Sequence, residues 1–88
     1  MPWVYMIRNK GSKLYVGVTD NPSKRLARHN QKKGAQFTQN NPSFEIVLLE
    51  KYENLALARK REVQIKKWRR DKKDELIRRY SQGLETKM

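Results

Sequence analysis

The 88-residue chain contains no cysteine, one histidine and only nine acidic residues against 21 lysines and arginines. Without cysteine there is neither a disulfide framework nor a thiolate zinc site. A lone histidine excludes a multi-histidine metal centre within one chain. Apolar runs such as Ile46-Val47-Leu48-Leu49 are far shorter than the ~20 residues of a membrane span. The N-terminus, Met-Pro-Trp-Val-Tyr-Met-Ile, has no basic leader of the kind a signal peptide requires. These absences make a cytoplasmic protein with no membrane association the expectation. A chain this short is expected to form one domain with a modest core.

What remains is charge. The formal net charge is +12 at pH 7, and it attracts polyanions by counterion release. Residues 1–51 and 52–88 each carry a net +6, so the excess belongs to the fold and not to a basic arm. Nucleic acid is the first candidate partner.

Trp3 to Ile7 and Leu14 to Val18 are aromatic and β-branched runs that read as two strands. Asn9-Lys10-Gly11-Ser12 between them is turn chemistry. A three-residue loop, Asn9 to Gly11, is a common hairpin type with glycine in the left-handed position. It sets Tyr5 opposite Tyr15 and Gly17 opposite Trp3, all on one face. Asn21 as N-cap and Pro22 at the first turn start a helix that runs to about Lys33 and stops near Gly34. Arg25, Arg28, His29 and Lys32 share one basic face of it, and Leu26 and Ala27 are its apolar anchors. A polar connection, Ala35 to Pro42, leads to a third strand, Phe44 to Lys51, with Phe44, Ile46 and Leu48 alternating. Asn54 caps a long helix from Leu55 to about Arg70. Leu55, Ala58, Ile65 and Trp68 form its apolar stripe, with Glu62 inside it. A last helix spans about Asp71 to Gln82, with acidic residues early and Arg78 and Arg79 late, which suits the helix dipole. The expected order is β-β-α-β-α-α, an α+β domain over residues 1–83: a three-stranded antiparallel sheet flanked by helices. Residues 84–88 are expected to fray.

Several residues carry two readings. Paired tyrosines on a hairpin are ordinarily cross-strand packing, yet a strand glycine such as Gly17 often marks a close approach. Arg25 and His29 one turn apart are either a solvated face or a phosphate and proton-handling pair. Glu62 on an apolar stripe is costly to bury unless paired or metal-bound. It either bridges to Arg61, Lys66 or Arg69, or ligates a metal. The cationic rows Arg59-Lys60-Arg61 and Lys66-Lys67-Trp68-Arg69-Arg70, taken with the net charge, favour nucleic-acid binding.

Together, Trp3-Val4-Tyr5, Tyr15-Val16-Gly17, Arg25-x-x-x-His29 and Arg61-Glu62-x-x-Ile65-Lys66-Lys67-Trp68 resemble the GIY-YIG nuclease domain. The chain looks most like the small stand-alone bacterial members of that superfamily, and the likeness covers about residues 2–80. His29-Asn30 followed by Gly34-Ala35-x-Phe37-Thr38 is also similar to the GIY-YIG subunit of structure-selective endonucleases. The resemblance implies Mg²⁺- or Mn²⁺-dependent hydrolysis of DNA phosphodiester bonds. It implies that Tyr5, Tyr15, Arg25 and His29 are catalytic, that Gly17 is the motif glycine and that Glu62 holds the metal. Tyr5 is preferred over Tyr15 as the residue that activates water. Lys24, Arg28, Lys66, Lys67, Arg69 and Arg70 are candidate contacts to DNA, including branched or damaged DNA. Trp3 departs from the first glycine of the motif. The alternative function is a catalytically weak nucleic-acid-binding module on the same fold.

Overall fold

A computed structural model describes residues 1–34 and 44–87 of the chain. The expected connection Ala35–Pro42, the motif residues Phe37 and Thr38, the side chain of Lys32 and Met88 lie outside the described residues. The elements are β1 (Trp3–Arg8), β2 (Leu14–Thr19), α1 (Pro22–Gly34), β3 (Glu45–Lys51), α2 (Leu55–Lys67) and α3 (Arg70–Ser81). This is the β-β-α-β-α-α order of an α+β fold.

The three strands form one antiparallel sheet in the order β2-β1-β3. The central strand is covered on both faces, so Val4, Tyr5, Met6 and Ile7 are all buried. Val4 and Met6 point to one side, where Val47, Leu48, Ala58, Ile65, Leu76 and Ile77 close the main core. Helix α2 packs there over β2 and β1, and α3 over β3. Tyr5 and Ile7 point to the other side and meet Phe44, with Tyr15, Leu26, Ile46 and Leu49 around them. Helix α1 lies on this second face. Ala27, expected as an anchor of α1, is exposed, which leaves Leu26 as its apolar contact. Among the described residues no helix is long and apolar enough to cross a membrane.

The hairpin has the expected loop type in a different frame. Tyr5 pairs with Gly17 and Ile7 with Tyr15, so Tyr5 does not face Tyr15 and Gly17 does not face Trp3. The three-residue loop is Lys10–Ser12, one position later than expected. Ser12, not Gly11, takes the left-handed conformation (φ 66°). Asn9 sets the frame. Its backbone N–H donates to the Lys13 carbonyl (3.1 Å) and its carbonyl accepts from Ser12 (3.0 Å). Its side-chain Oδ1 accepts from the Lys13 N–H (2.9 Å). Because the frame moves by two partners, side-chain parity is preserved. Tyr5, Tyr15 and Gly17 still share one face.

Strand β3 breaks its expected alternation. Met6 pairs with Leu48 but Ile7 pairs with Ile46, so Val47 is the extra residue of a β-bulge. The bulge turns both Val47 and Leu48 into the main core and returns Ile46 and Leu49 to the tyrosine face.

Asn21 and Asn54 cap their helices as the sequence suggests. Asn21 Oδ1 accepts from the Lys24 N–H (3.1 Å) and Asn54 Oδ1 from the Leu57 N–H (2.9 Å). Helix α2 ends three residues earlier than expected, at Lys67, because Trp68 leaves the helix with ψ 153°. Leu55, placed on the apolar stripe, is instead half exposed.

Beyond α3 the described chain folds back on the domain. Gly83 adopts φ +72°, its N–H donates to the Tyr80 carbonyl (3.1 Å) and the Leu84 N–H to the Arg79 carbonyl (2.9 Å). This Schellman closure of α3 reverses the chain. Thr86 is thereby buried, and its carbonyl accepts from Arg61 Nη2 at 2.8 Å.

Candidate active site

The site forms on the sheet face covered by α1. Tyr5 rises from the central strand and lies across Gly17, its neighbour on β2. A Cβ at position 17 would stand 2.6 Å from the Tyr5 hydroxyl oxygen and 2.8 Å from the ring. Glycine is therefore required by the ring above it, and this fixes where the hydroxyl goes. The hydroxyl reaches His29 Nε2 on α1 at 3.4 Å. The imidazole sits among three rings, with centroids 6.3 Å from Tyr5, 6.2 Å from Tyr15 and 5.8 Å from Phe44. Tyr15 meets Phe44 edge-on at 5.4 Å.

Phe44 is held in this cluster by Asn30. The Phe44 N–H donates to Asn30 Oδ1 (2.7 Å), and Asn30 Nδ2 donates to the Phe44 carbonyl (3.4 Å). The Asn30 amide thus stands in for a strand partner at the start of β3 and ties that strand to α1 beside His29. Asn30 was visible in the sequence only as the neighbour of His29. The role of Phe44 in the site could not be read there, because its strand register was not known.

At the N-terminus of α1 a cavity of about 150 Å³ is lined by Thr19, Asp20, Asn21, Lys24, Arg25 and Arg28. Three cations at a helix N-terminus form a setting suited to a phosphate group.

Glu62 comes from α2, on the helix layer of the opposite face. Its carboxylate is mostly buried and pairs with Lys66 Nζ at 2.9 Å, one turn along the helix. Of the three bridging partners considered for it, Lys66 is the one used. Its link to the tyrosine is electrostatic. Burial pushes the Tyr5 hydroxyl above the ordinary tyrosine pKa, Arg25 opposes the rise, Glu62 adds to it and Lys66 opposes it. Tyr5 thus lies within the fields of Arg25, Glu62 and Lys66 together.

Among the described residues no three histidine, cysteine or acidic side chains cluster as a metal cage. The donor set is one hard carboxylate with an exposed counterion. That fits Mg²⁺ or Mn²⁺, which bind through one or two carboxylates and complete their shell with water and phosphate oxygens. It does not fit a structural metal.

The cationic rows divide. Arg61 is buried, with Nε and Nη2 on the two Glu50 oxygens at 2.9 and 3.1 Å, and is no surface cation. Lys66 faces Glu62, Arg70 pairs with Asp74 at 2.9 Å, and Lys67 and Arg69 are exposed.

The position of Gly17 yields a direct test. Gly17→Ala should cost about 1–3 kcal/mol, the usual penalty for overpacking a rigid site. It should also move the Tyr5 ring off His29. Thermal melting reads the first effect and the His29 ring resonances the second. An unshifted His29 with wild-type melting would refute the contact.

Comparison with known proteins agrees with this architecture. A model of the GIY-YIG catalytic domain matches residues 1–75, and the chain belongs to that nuclease family. Its relatives include proteins named UPF0213. One from Clostridium perfringens is 39% identical over 77 residues, covering 88% of this chain and 83% of its own length. Another, from Syntrophus aciditrophicus, is 40% identical over 77 residues, covering 86% and 88%. The solution NMR structure of a UPF0213 protein from Bacillus halodurans matches with a TM-score of 0.56 and 28% identity, over 88% of this chain and 83% of that one.

Proposed function

We propose that the protein is a metal-dependent endonuclease that hydrolyses phosphodiester bonds in DNA. The observation that carries this reading is the Tyr5 hydroxyl set against His29 Nε2 within the opposed fields of Arg25 and Glu62. Family membership supports a nuclease; metal dependence, DNA as substrate and the residue roles are our reading of the site.

A tyrosine of ordinary pKa, about 10, is protonated near neutral pH and burial raises that of Tyr5 further, so a standing phenolate is not the base. The contact with His29 gives the proton a destination. As Tyr5 oxygen takes a proton from the attacking water, its own passes to His29 Nε2, the ring nitrogen its hydroxyl faces. Tyr15, on the same face two residues before Gly17, orients the water or the phosphate. Arg25 holds a non-bridging phosphate oxygen, with Lys24 and Arg28 beside it on the strand backbone. Glu62 is the residue that would hold Mg²⁺ or Mn²⁺; when bound, the ion supplies positive charge to the phosphate and leaving oxygens.

The test is cleavage of duplex, single-stranded, flap and branched DNA with and without Mg²⁺ or Mn²⁺, together with DNA affinity as a function of salt. Cleavage is expected only with metal. Affinity should fall with a log–log slope of about −0.9 for each phosphate neutralised, so the three cations of the α1 notch alone give about −3. Binding without cleavage of any substrate would leave the nucleic-acid-binding module as the function. A flat slope would reject both.

A further inference from the structure

The outward face of α2 carries a groove of which only Lys67 is among the candidate DNA contacts. A cavity of about 590 Å³ runs between this helix and the β3 end of the sheet, with Tyr52, Leu57, Val63 and Gln64 as its walls. Leu57 and Val63 are 46% and 49% exposed, an unusual placement for two apolar side chains on so charged a helix. Lys60, Lys67 and Lys87 stand around the rim, and among the described residues no acidic side chain lines the cavity. Among the described residues neither Lys60 nor Lys67 has a carboxylate partner. From position 57 to 67 the groove follows the helix for about 15 Å, some three turns. At about 100° per residue, this face lies roughly opposite Glu62 on the same helix. An occupant would therefore leave the catalytic side open.

We infer that this groove docks an acidic amphipathic segment of a partner protein. Apolar side chains of the segment fill the space between Leu57 and Val63, and flanking aspartates or glutamates meet Lys60, Lys67 and Lys87. The chemistry disfavours two other occupants. A second copy of this chain would bring another +12 and set lysine against lysine. Nucleic acid would find cations but no platform for a base, because Lys87 Nζ sits 4.2 Å above the centre of the Tyr52 ring. The apolar walls would lie idle against a phosphate backbone. An apolar anchor ringed by charges of the opposite sign uses both features.

The proposal is tested with the full chain, ¹⁵N-labelled, and a synthetic amphipathic peptide with leucines at helical spacing flanked by glutamates. Controls are the same peptide with lysine for glutamate, polyglutamate, duplex DNA and anionic lipid vesicles. The expected result is saturable shifts centred on the Leu57, Lys60, Val63 and Gln64 amides, at peptide concentrations below ~1 mM, for the Glu/Leu peptide alone. Val63→Glu, at an exposed position, should weaken this binding at least about tenfold while leaving melting and DNA cleavage unchanged. Four results would overturn the inference. They are no shift at these amides, equal shifts with polyglutamate spread over the basic surface, undiminished binding by Val63→Glu, and displacement of the peptide from these same amides by DNA or vesicles.

Discussion

Glu62→Gln should abolish metal-dependent cleavage, by ~10³-fold or more, while the protein melts within a few degrees of the wild type. Glutamine keeps the size of the side chain and an oxygen for Lys66, but it removes the only negative charge of the donor set. The stability cost is small because the Glu62–Lys66 pair is an i,i+4 contact to a lysine that is 54% exposed. Such pairs contribute about 0.3–0.5 kcal/mol. DNA affinity should hold or rise, since one carboxylate no longer repels phosphate. Tyr5→Phe is the companion variant. The ring still fills the space over Gly17, and the lost hydroxyl made only a long 3.4 Å contact, so the fold should persist while cleavage disappears. Rate, melting temperature and DNA affinity are measured on the same preparations. A variant with normal cleavage and lowered melting would make Glu62 a structural ion pair and remove the proposed mechanism. Normal cleavage by Tyr5→Phe would remove the proton relay.

The common face of the two tyrosines and Gly17 was legible in the sequence because parity is robust. Alternation along two strands assigns Tyr5, Tyr15 and Gly17 to one face whatever even slip the hairpin makes. The frame was not legible in the same way. Both Gly11 and Ser12 can serve a turn, and the choice rests on the hydrogen bond that the Lys13 N–H donates to Asn9 Oδ1, which spacing cannot display. The bulge at Val47 was hidden for a related reason. Phe44, Ile46 and Leu48 alternate perfectly as text, but α2 and α3 demand two adjacent apolar residues on the main-core face. The wheel of α2 gave Ala58, Glu62 and Ile65 correctly and misjudged Leu55, and the cationic-row reading concealed the burial of Arg61. An arginine in a basic run looks solvated until its partner is known, and Glu50 lies eleven positions earlier on another element. The same guanidinium also reaches the Thr86 carbonyl, a contact that spacing cannot display.

That guanidinium supports the second large effect expected here. Arg61 and Glu50 are 6% and 1% exposed, and neither is left with an idle polar atom. Arg61 spans Glu50, the Gln64 side chain at 2.9 Å and the Thr86 carbonyl, and it stacks on Trp68 at 5.0 Å. Tyr52 donates its hydroxyl to Glu50 at 2.9 Å. Burial and the bond to Glu50 push the Tyr52 pKa far up, so that donor keeps its proton at any ordinary pH. Arg61→Met retains most of the volume but strands the carboxylate. Removing one partner of a buried pair costs about 3–5 kcal/mol, which for a domain of this size lowers the melting temperature by more than about 12 °C. The pH dependence should also change sign. In the wild type, burial raises the Glu50 pKa, but hydrogen bonds from Arg61, Thr86 and Tyr52 and the charge of Arg61 outweigh it and leave the pKa below the ordinary carboxylate value. The ion pair's contribution is therefore complete above that ordinary value and is lost as pH falls through the depressed one. In Arg61→Met burial is opposed only by the remaining donors, and the folded-state pKa moves above the ordinary value. The variant should then gain stability relative to the wild type as the solution is acidified, because a protonated Glu50 no longer buries an unpaired charge. Denaturant unfolding at a series of pH values measures both slopes. A constant difference between wild type and Arg61→Met across the acid range would show that Arg61 acts through packing on Trp68 and not through the charge of Glu50.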